Sequence, residues 1–213
     1  MDSTSESDGH ICPDCLDDIP FTWFWSYTPN PAEEKLLKKV GIVSAACLYF
    51  YRRGSKYNSL VKSVKYGGRS DVGVLLGRML GERLLESGRF TTIDAVVPVP
   101  LHPLRRWKRG HNQAEDAARG IAETLNVRML HDLLRRTRRT RTQTKLSGKE
   151  KASNVKGAFA IDAAAAAEFQ REGINHVLLV DDVLTSGSTL AEAAKPLTGH
   201  FLVSVASIAY AEG

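Results

Sequence analysis

Two adjacent carboxylates, Asp181 and Asp182, stand between an apolar run and a loop dense in hydroxyls, VLLVDDVLTSGST at residues 177–189. Val177 to Val180 is apolar on both faces, as a strand buried in a parallel sheet requires. The carboxylates then fall at its carboxyl end, where open α/β sheets bind their ligands. Thr185, Ser186, Gly187, Ser188 and Thr189 can close a tight turn whose backbone N–H groups and hydroxyls converge on an anion at a helix N-terminus. Carboxylates beside such a cradle would repel a bare phosphate. They suit a ligand that also carries hydroxyls or Mg²⁺, and a phosphorylated sugar has both features. A plainer reading uses the same residues as a strand, a polar loop and a capped helix.

Cations form the next group. The chain carries a formal net charge of +5 and a pI near 9.2. Much of this comes from RRWKR at 105–109 and RRTRRTR at 135–141. The first cluster fills a loop after Pro98-Val99-Pro100, just before a helical pattern at Gln113–Leu125. A strand, a basic loop and a helix repeat the arrangement of the carboxylate stretch. Pro100, Leu101, Arg105, Arg106, Lys108, Arg109 and Asn112 are therefore candidates for phosphate or diphosphate contact, with Arg favoured for its bidentate fork. His102 and His111 in the same loop have no evident carboxylate partner. The second cluster opens a polar segment from Leu134 to Val155, long enough to be a functional loop. Arg141 and Lys145 there could fold over a diphosphate and exclude water. A nucleic-acid tract competes with that reading, although the segment lacks aromatic residues for base stacking. A solvated basic face is the bland alternative for either cluster.

The elements that must position these groups follow from periodicity. Strands are expected at Ser44–Tyr51, Asp94–Pro100, Phe159–Ile161 and Phe201–Tyr210, in addition to Val177–Val180. Helices are expected at Ala32–Val40, Asn58–Tyr66, Asp71–Ser87, Ala163–Gln170 and Leu190–Leu197, besides Gln113–Leu125. In Asp71–Ser87 the stripe of Val72, Leu75, Leu76, Met79 and Leu80 reads as core. The 213 residues, 43% hydrophobic and 25% charged, suit one substantial globular domain with a small appendage. No apolar run reaches membrane-spanning length and the polar start is no signal peptide, so a cytoplasmic protein without membrane insertion is expected. The odd cysteine count of 3 argues against a disulfide framework. Cys12 and Cys15, near His10, have zinc-ligand spacing, but a closed site needs about four ligands and no second such pair is present. Cys47 reads as a core residue.

The stretch at 177–189 resembles the phosphoribosyl diphosphate (PRPP) signature of the type I phosphoribosyltransferases. PVP at 98–100, RGHNQA at 109–114, RTQTKL at 141–146 and NVKGAF at 154–159 precede it in an order similar to the ComF family of competence-associated proteins. The resemblance covers residues 10–212. It implies an α/β, Rossmann-like type I phosphoribosyltransferase fold, a central parallel sheet flanked by helices with a small N-terminal arm or hood. Residues 1–57 would form that arm, with a remnant zinc motif, and 58–213 the phosphoribosyltransferase domain. Asp181 and Asp182 would be catalytic, meeting the ribose hydroxyls directly or through Mg²⁺. Val183 and Leu184 would belong to the PRPP site, and Thr185 to Thr189 would hold the 5-phosphate. Pro100 to Arg109 would face the diphosphate, and Arg135 to Lys151 would form a flexible loop. Family members usually begin with two Cys-x-x-Cys pairs that bind zinc, whereas here only Cys12 and Cys15 match. The implied function is Mg²⁺-dependent transfer of phosphoribosyl to an unidentified nitrogen acceptor, linked to DNA uptake. The alternative is a non-catalytic accessory protein that binds single-stranded DNA or a helicase partner, with PRPP as regulator.

Overall fold

Apolar β-branched runs alternate with helical stripes along this chain, and a doubly wound α/β fold is the result. The computed structural model describes residues 19–51, 70–101, 112–137 and 155–211. In chain order the elements are α1 (Pro31–Leu37), β1 (Ala45–Tyr51), α2 (Ser70–Ser87), β2 (Ala95–Pro98) and α3 (Gln113–Leu125). Then come β3 (Arg128–Met129), β4 (Leu134–Arg136), β5 (Phe159–Ile161), α4 (Ala163–Arg171), β6 (His176–Leu184), α5 (Ser188–Ala194) and β7 (Leu202–Ala211). Five strands form one sheet in the order β1-β7-β6-β2-β3. Every pairing in it is parallel, and the strand bearing the two carboxylates lies at its centre. The architecture is a Rossmann-like α/β sheet flanked by helices.

Each face of the sheet has its own core. Ala32 and Leu36 of α1, Ala166 of α4, and Leu190 and Ala194 of α5 pack on one side against Val177, Leu179, Val203 and Val205. Leu76, Leu80 and Leu84 of α2, with Ala118 and Ile121 of α3, cover the other side against Leu178, Val180 and Ala206. Both faces of β6 are thus dry through Val180, as its unbroken apolar run requires.

The helix α2 carries a feature that the apolar stripe hides. Gly73, Gly77 and Gly81 recur every fourth residue and form the line along which α3 approaches. A Cβ on Gly77 would stand 2.2 Å from the Ala117 carbonyl oxygen, and one on Gly120 would stand 2.1 Å from that of Val74. The two backbones meet there, and no side chain can be inserted without moving a helix. Leu75 and Met79, expected in the core, are only half-buried because the helix rolls its glycine face toward α3.

Residues 20–22 lie along the outer edge of β1. The Thr22 amide donates to the Leu48 carbonyl (3.1 Å), and the Phe50 amide to that of Pro20 (2.8 Å). The edge strand is thereby covered, which removes a template for unwanted pairing. β1 itself, within the 1–57 segment read from sequence as arm and hood, is a strand of the central sheet. α1 is set by Asn30, whose Oδ1 accepts from the Ala32 and Glu33 amides while the Glu33 side chain accepts from the Asn30 amide, a full capping box.

Two expectations need correction. β6 does not stop at Val180 but continues through both carboxylates to Leu184, because β7 keeps pairing with it as far as Leu184↔Tyr210. The polar segment from Leu134 is not loop from its start. Leu134–Arg136 pairs antiparallel with Phe159–Ile161, and buried Leu134 anchors the pair while Arg135 stays exposed. The expected helix at Asn58–Tyr66 lies outside the described residues. Among the described residues no helix is long and apolar enough to cross a membrane.

Because the Gly77 and Gly120 contacts are to backbone, relief requires displacement of a helix. Gly77→Ala should lower stability by about 3 kcal/mol, read as a shift of the urea unfolding midpoint at unchanged slope. A midpoint within error of wild type would contradict the close approach.

Candidate functional site

β2 ends where the carboxylates begin. Pro98 pairs with Val180, and the Val99 amide makes one last bond to the Val180 carbonyl at 2.8 Å. Pro98 and Pro100 carry no backbone N–H, so the ladder cannot be extended on that side. Asp181 and Asp182 therefore lie on a part of β6 that outruns β2 and is supported by β7 alone among the described strands. Both are half-buried. Successive strand side chains take opposite faces. Asp182 follows Leu178 and Val180 toward the α2–α3 layer, and Asp181 follows Val177 and Leu179 toward the α1–α5 layer.

The neighbours of the two carboxylates differ accordingly. The Asp181 Oδ1 accepts from the Asp182 amide at 2.9 Å. Asp181 lies in register with Ser207, whose hydroxyl is buried without a hydrogen-bond partner among the described residues. On the other face stands Tyr49, also buried with its hydroxyl unpartnered among the described residues. Burial, then the negative charge of Asp182, pushes the Tyr49 phenol well above its ordinary range, so it stays protonated.

After Leu184 the chain turns through Thr185 to Gly187 into α5. Gly187 is buried with φ of 72°, the left-handed region, and a Cβ there would stand 3.2 Å from Leu36 Cδ2. The backbone conformation favours glycine, and a side chain there would press on Leu36. The Ser186 and Ser188 hydroxyls lie 3.1 Å apart, so these two hydroxyls of the loop are drawn together.

α1 and the turn that ends it bring two cations to this loop, Lys35 and Lys39, neither of which the sequence marks as a site residue. The Lys39 ammonium donates to the Ser186 carbonyl. Lys35 lies 4.1 Å from the Tyr210 ring centroid and donates to the Ala211 carbonyl at 3.4 Å. Burial lowers the pKa of both, and the Lys35 charge lowers that of Lys39 further. Their spacing of i and i+4 on a helical pattern was the available signal. What it could not reveal was a partner loop 147 residues away.

At the end of β2, Pro100 and Leu101 border a concavity of about 290 Å³ with Pro98, Asn112, Glu115, His131 and Asp132. The His131 Nδ1 lies 3.3 Å from Glu115 on its wall. Asn112 is buried, and its Nδ2 donates to the Val99 carbonyl at 3.1 Å, tying the two ends of the basic loop together. Arg105, Arg106, Lys108, Arg109, Arg141, Lys145, Cys12 and Cys15 lie outside the described residues. Cys47 is buried as expected, and burial pushes its thiol far above the usual range, against the pull of Lys35. Among the described residues no three or more His, Cys, Asp or Glu groups gather as a metal site.

Fold and site together define an α/β Rossmann-like protein with a carboxylate pair and a hydroxyl-rich loop on its central strand. No family model matches the chain. It is 40% identical to Competence protein F of Haemophilus influenzae over 104 residues, 49% of this chain and 44% of that protein. It is 35% identical to the DNA utilization protein YhgH of Escherichia coli K12 over 141 residues, 65% of this chain and 59% of that protein. The YhgH protein of Salmonella typhimurium is 36% identical over the same share of each chain. The match thus spans about half the length of these relatives. These similarities accord with the resemblance to the ComF family read from the sequence motifs.

Gly187→Ala should cost about 1–2 kcal/mol from the left-handed backbone alone, with the Leu36 contact adding to it. Chemical denaturation would measure the loss. An unchanged midpoint would mean that the turn can relax.

Proposed function

We propose that the chain binds PRPP at the end of β6 and transfers its phosphoribosyl group to a nitrogen acceptor, with release of diphosphate. The observation that carries this reading is the continuity of the site. A carboxylate pair and a hydroxyl-rich loop follow one another on the central strand, where β2 has ended and two lysines approach from α1 and the turn after it. Carboxylates suit the ribose hydroxyls, and the loop with its cations suits the 5-phosphate. The relatives' names, one for competence and the others for DNA utilization, support a role in DNA uptake.

The chemistry would be substitution at the anomeric carbon. The acceptor nitrogen bonds to it as the bond to diphosphate breaks, and the transition state resembles an oxocarbenium ion. Half-buried Asp181 or Asp182 is suited to hold the ribose hydroxyls and stabilise the positive charge that develops on the ring. Tyr49, buried and held protonated, adds no second negative charge beside Asp182. The concavity beside Pro100 and Asn112 is a candidate for the acceptor or the diphosphate.

Mg²⁺ fits these residues in one way. Asp181 and Asp182 face opposite sides of the sheet, so they do not chelate one ion together. Mg²⁺ commonly takes one or two carboxylates and completes its shell with substrate oxygens and water, an arrangement that either Asp allows. When bound with PRPP it would act as Lewis acid and template.

Calorimetric titration of PRPP with Mg²⁺ is the test. Wild type should bind, and Asp181→Asn/Asp182→Asn should bind on the order of 10-fold to 100-fold more weakly, the worth of one or two charge-assisted hydrogen bonds. Diphosphate release, if an acceptor is supplied, should fall on the order of 10²–10³-fold. Absence of PRPP binding by wild type would overturn the reading. It would favour the alternative, an accessory protein for single-stranded DNA or a helicase partner, detected as steeply salt-dependent DNA binding that survives the double substitution.

A further inference from the structure

The loop at 185–189 contains hydroxyls and a glycine but no cation. A phosphate monoester dianion held there must be balanced from elsewhere. We infer that Lys39 and Lys35 are its cationic ligands, and that they set a preference of the site for 5-phosphorylated over unphosphorylated sugars. The inference rests on the reading of this loop as the phosphate end of a PRPP site.

Three observations lead to it. First, the lysines are at the loop. The Lys39 ammonium reaches the Ser186 carbonyl, and the Lys35 Cγ lies 3.7 Å from the point where a Cβ on Gly187 would stand. An ammonium has about three donors, so one bond to a carbonyl leaves capacity for phosphate oxygens. Second, among the described residues neither ammonium has a carboxylate within ion-pair distance. Both are partly desolvated, and Lys39 also feels the positive charge of Lys35. A phosphate between them would relieve both costs. Third, their position is held rigidly. α1 is fixed by buried Asn30 and Glu33, and Leu36, between the two lysines, packs directly on Gly187. Lys38, on the same turn, is exposed and approaches none of these groups among the described residues.

The geometry also explains why lysine rather than arginine serves here. A phosphate monoester on a loop that already supplies directional donors needs compact charge more than a planar fork. The arginine clusters at 105–109 and 135–141 are suited to the more extended diphosphate.

The experiment is calorimetry with two probes, ribose 5-phosphate and PRPP, each with Mg²⁺. It uses the full chain as wild type, Lys39→Met, Lys35→Met, Lys39→Arg and, as a matched control, Lys38→Met. Lys39→Met and Lys35→Met should each weaken ribose 5-phosphate binding about 10-fold or more. Lys39→Arg, which keeps a cation, should restore most of it, and Lys38→Met should match wild type. A thermal unfolding curve for each variant separates lost binding from lost folding, and exposed Lys39 can be replaced without opening the core. If Lys39→Met and Lys35→Met bind ribose 5-phosphate as wild type does, the lysine assignment is overturned while the PRPP reading stands. If Lys38→Met weakens binding equally, the effect is one of general charge and the assignment is again overturned. If wild type binds neither probe, both readings fall together.

Discussion

A buried polar knot at the start of the described chain sets the geometry of the site. The Asn30 side chain donates to the carbonyls of Phe24 (2.9 Å) and Ala45 (2.8 Å) while its oxygen caps α1. Glu33 accepts from the amides of Asn30 and Ala45 and from Arg89 Nη2 at 2.6 Å. Arg89 in turn donates to the carbonyls of Phe24 and Tyr27. Glu33 is nearly fully buried, and Arg89 and these amides are its hydrogen-bond partners there. Removing one member of such a pair leaves an uncompensated buried charge, at a cost of about 3–5 kcal/mol. The knot locks α1 onto β1, and α1 with the turn after it carries Lys35, Leu36 and Lys39 to the loop after β6. Charge at the site is thus positioned by residues far from it in sequence.

The opposite face of the sheet is organised by a different constraint. Gly77 and Gly120 let α2 and α3 touch backbone to backbone, which brings α3 close to the sheet, where its apolar face packs on β2 and β6. Asn112, just ahead of α3, then reaches the Val99 carbonyl and fixes the foot of the basic loop beside the end of β2. Two prolines end β2 early, β7 lets β6 continue, and the carboxylates are left at the step between them. The step, the loop and the lysines are three consequences of strand length, turn geometry and helix docking.

Local features were legible in the sequence and distant ones were not. The boundaries of α3 follow from its apolar periodicity, and the end of the continuous apolar run correctly marks where β6 loses its dry surroundings. β6 nonetheless runs further, because pairing with β7 is a property of two strands and not of one. The glycines at 73, 77 and 81 are visible as residues, yet only the approach of α3 gives them meaning. β3 and β4 are two and three residues long and carry arginines, so no periodic signal exists to find them. Lys35 and Lys39 read as ordinary surface charges on a short helix until the fold lays that helix against a loop 147 residues later. The hydroxyls of Tyr49 and Ser207, likewise, acquire interest only from their burial beside Asp182 and Asp181.

In the proposed site one strand end gathers carboxylates for the ribose, a phosphate loop, and Lys35 and Lys39 from α1 and the turn after it. A crystal structure of the chain grown with PRPP and Mg²⁺ tests it most directly. The 5-phosphate should lie on residues 185–189 within hydrogen-bond reach of the Lys39 ammonium, and the ribose hydroxyls against Asp181 or Asp182. PRPP bound elsewhere on the chain, or bound with its diphosphate on that loop, would contradict it.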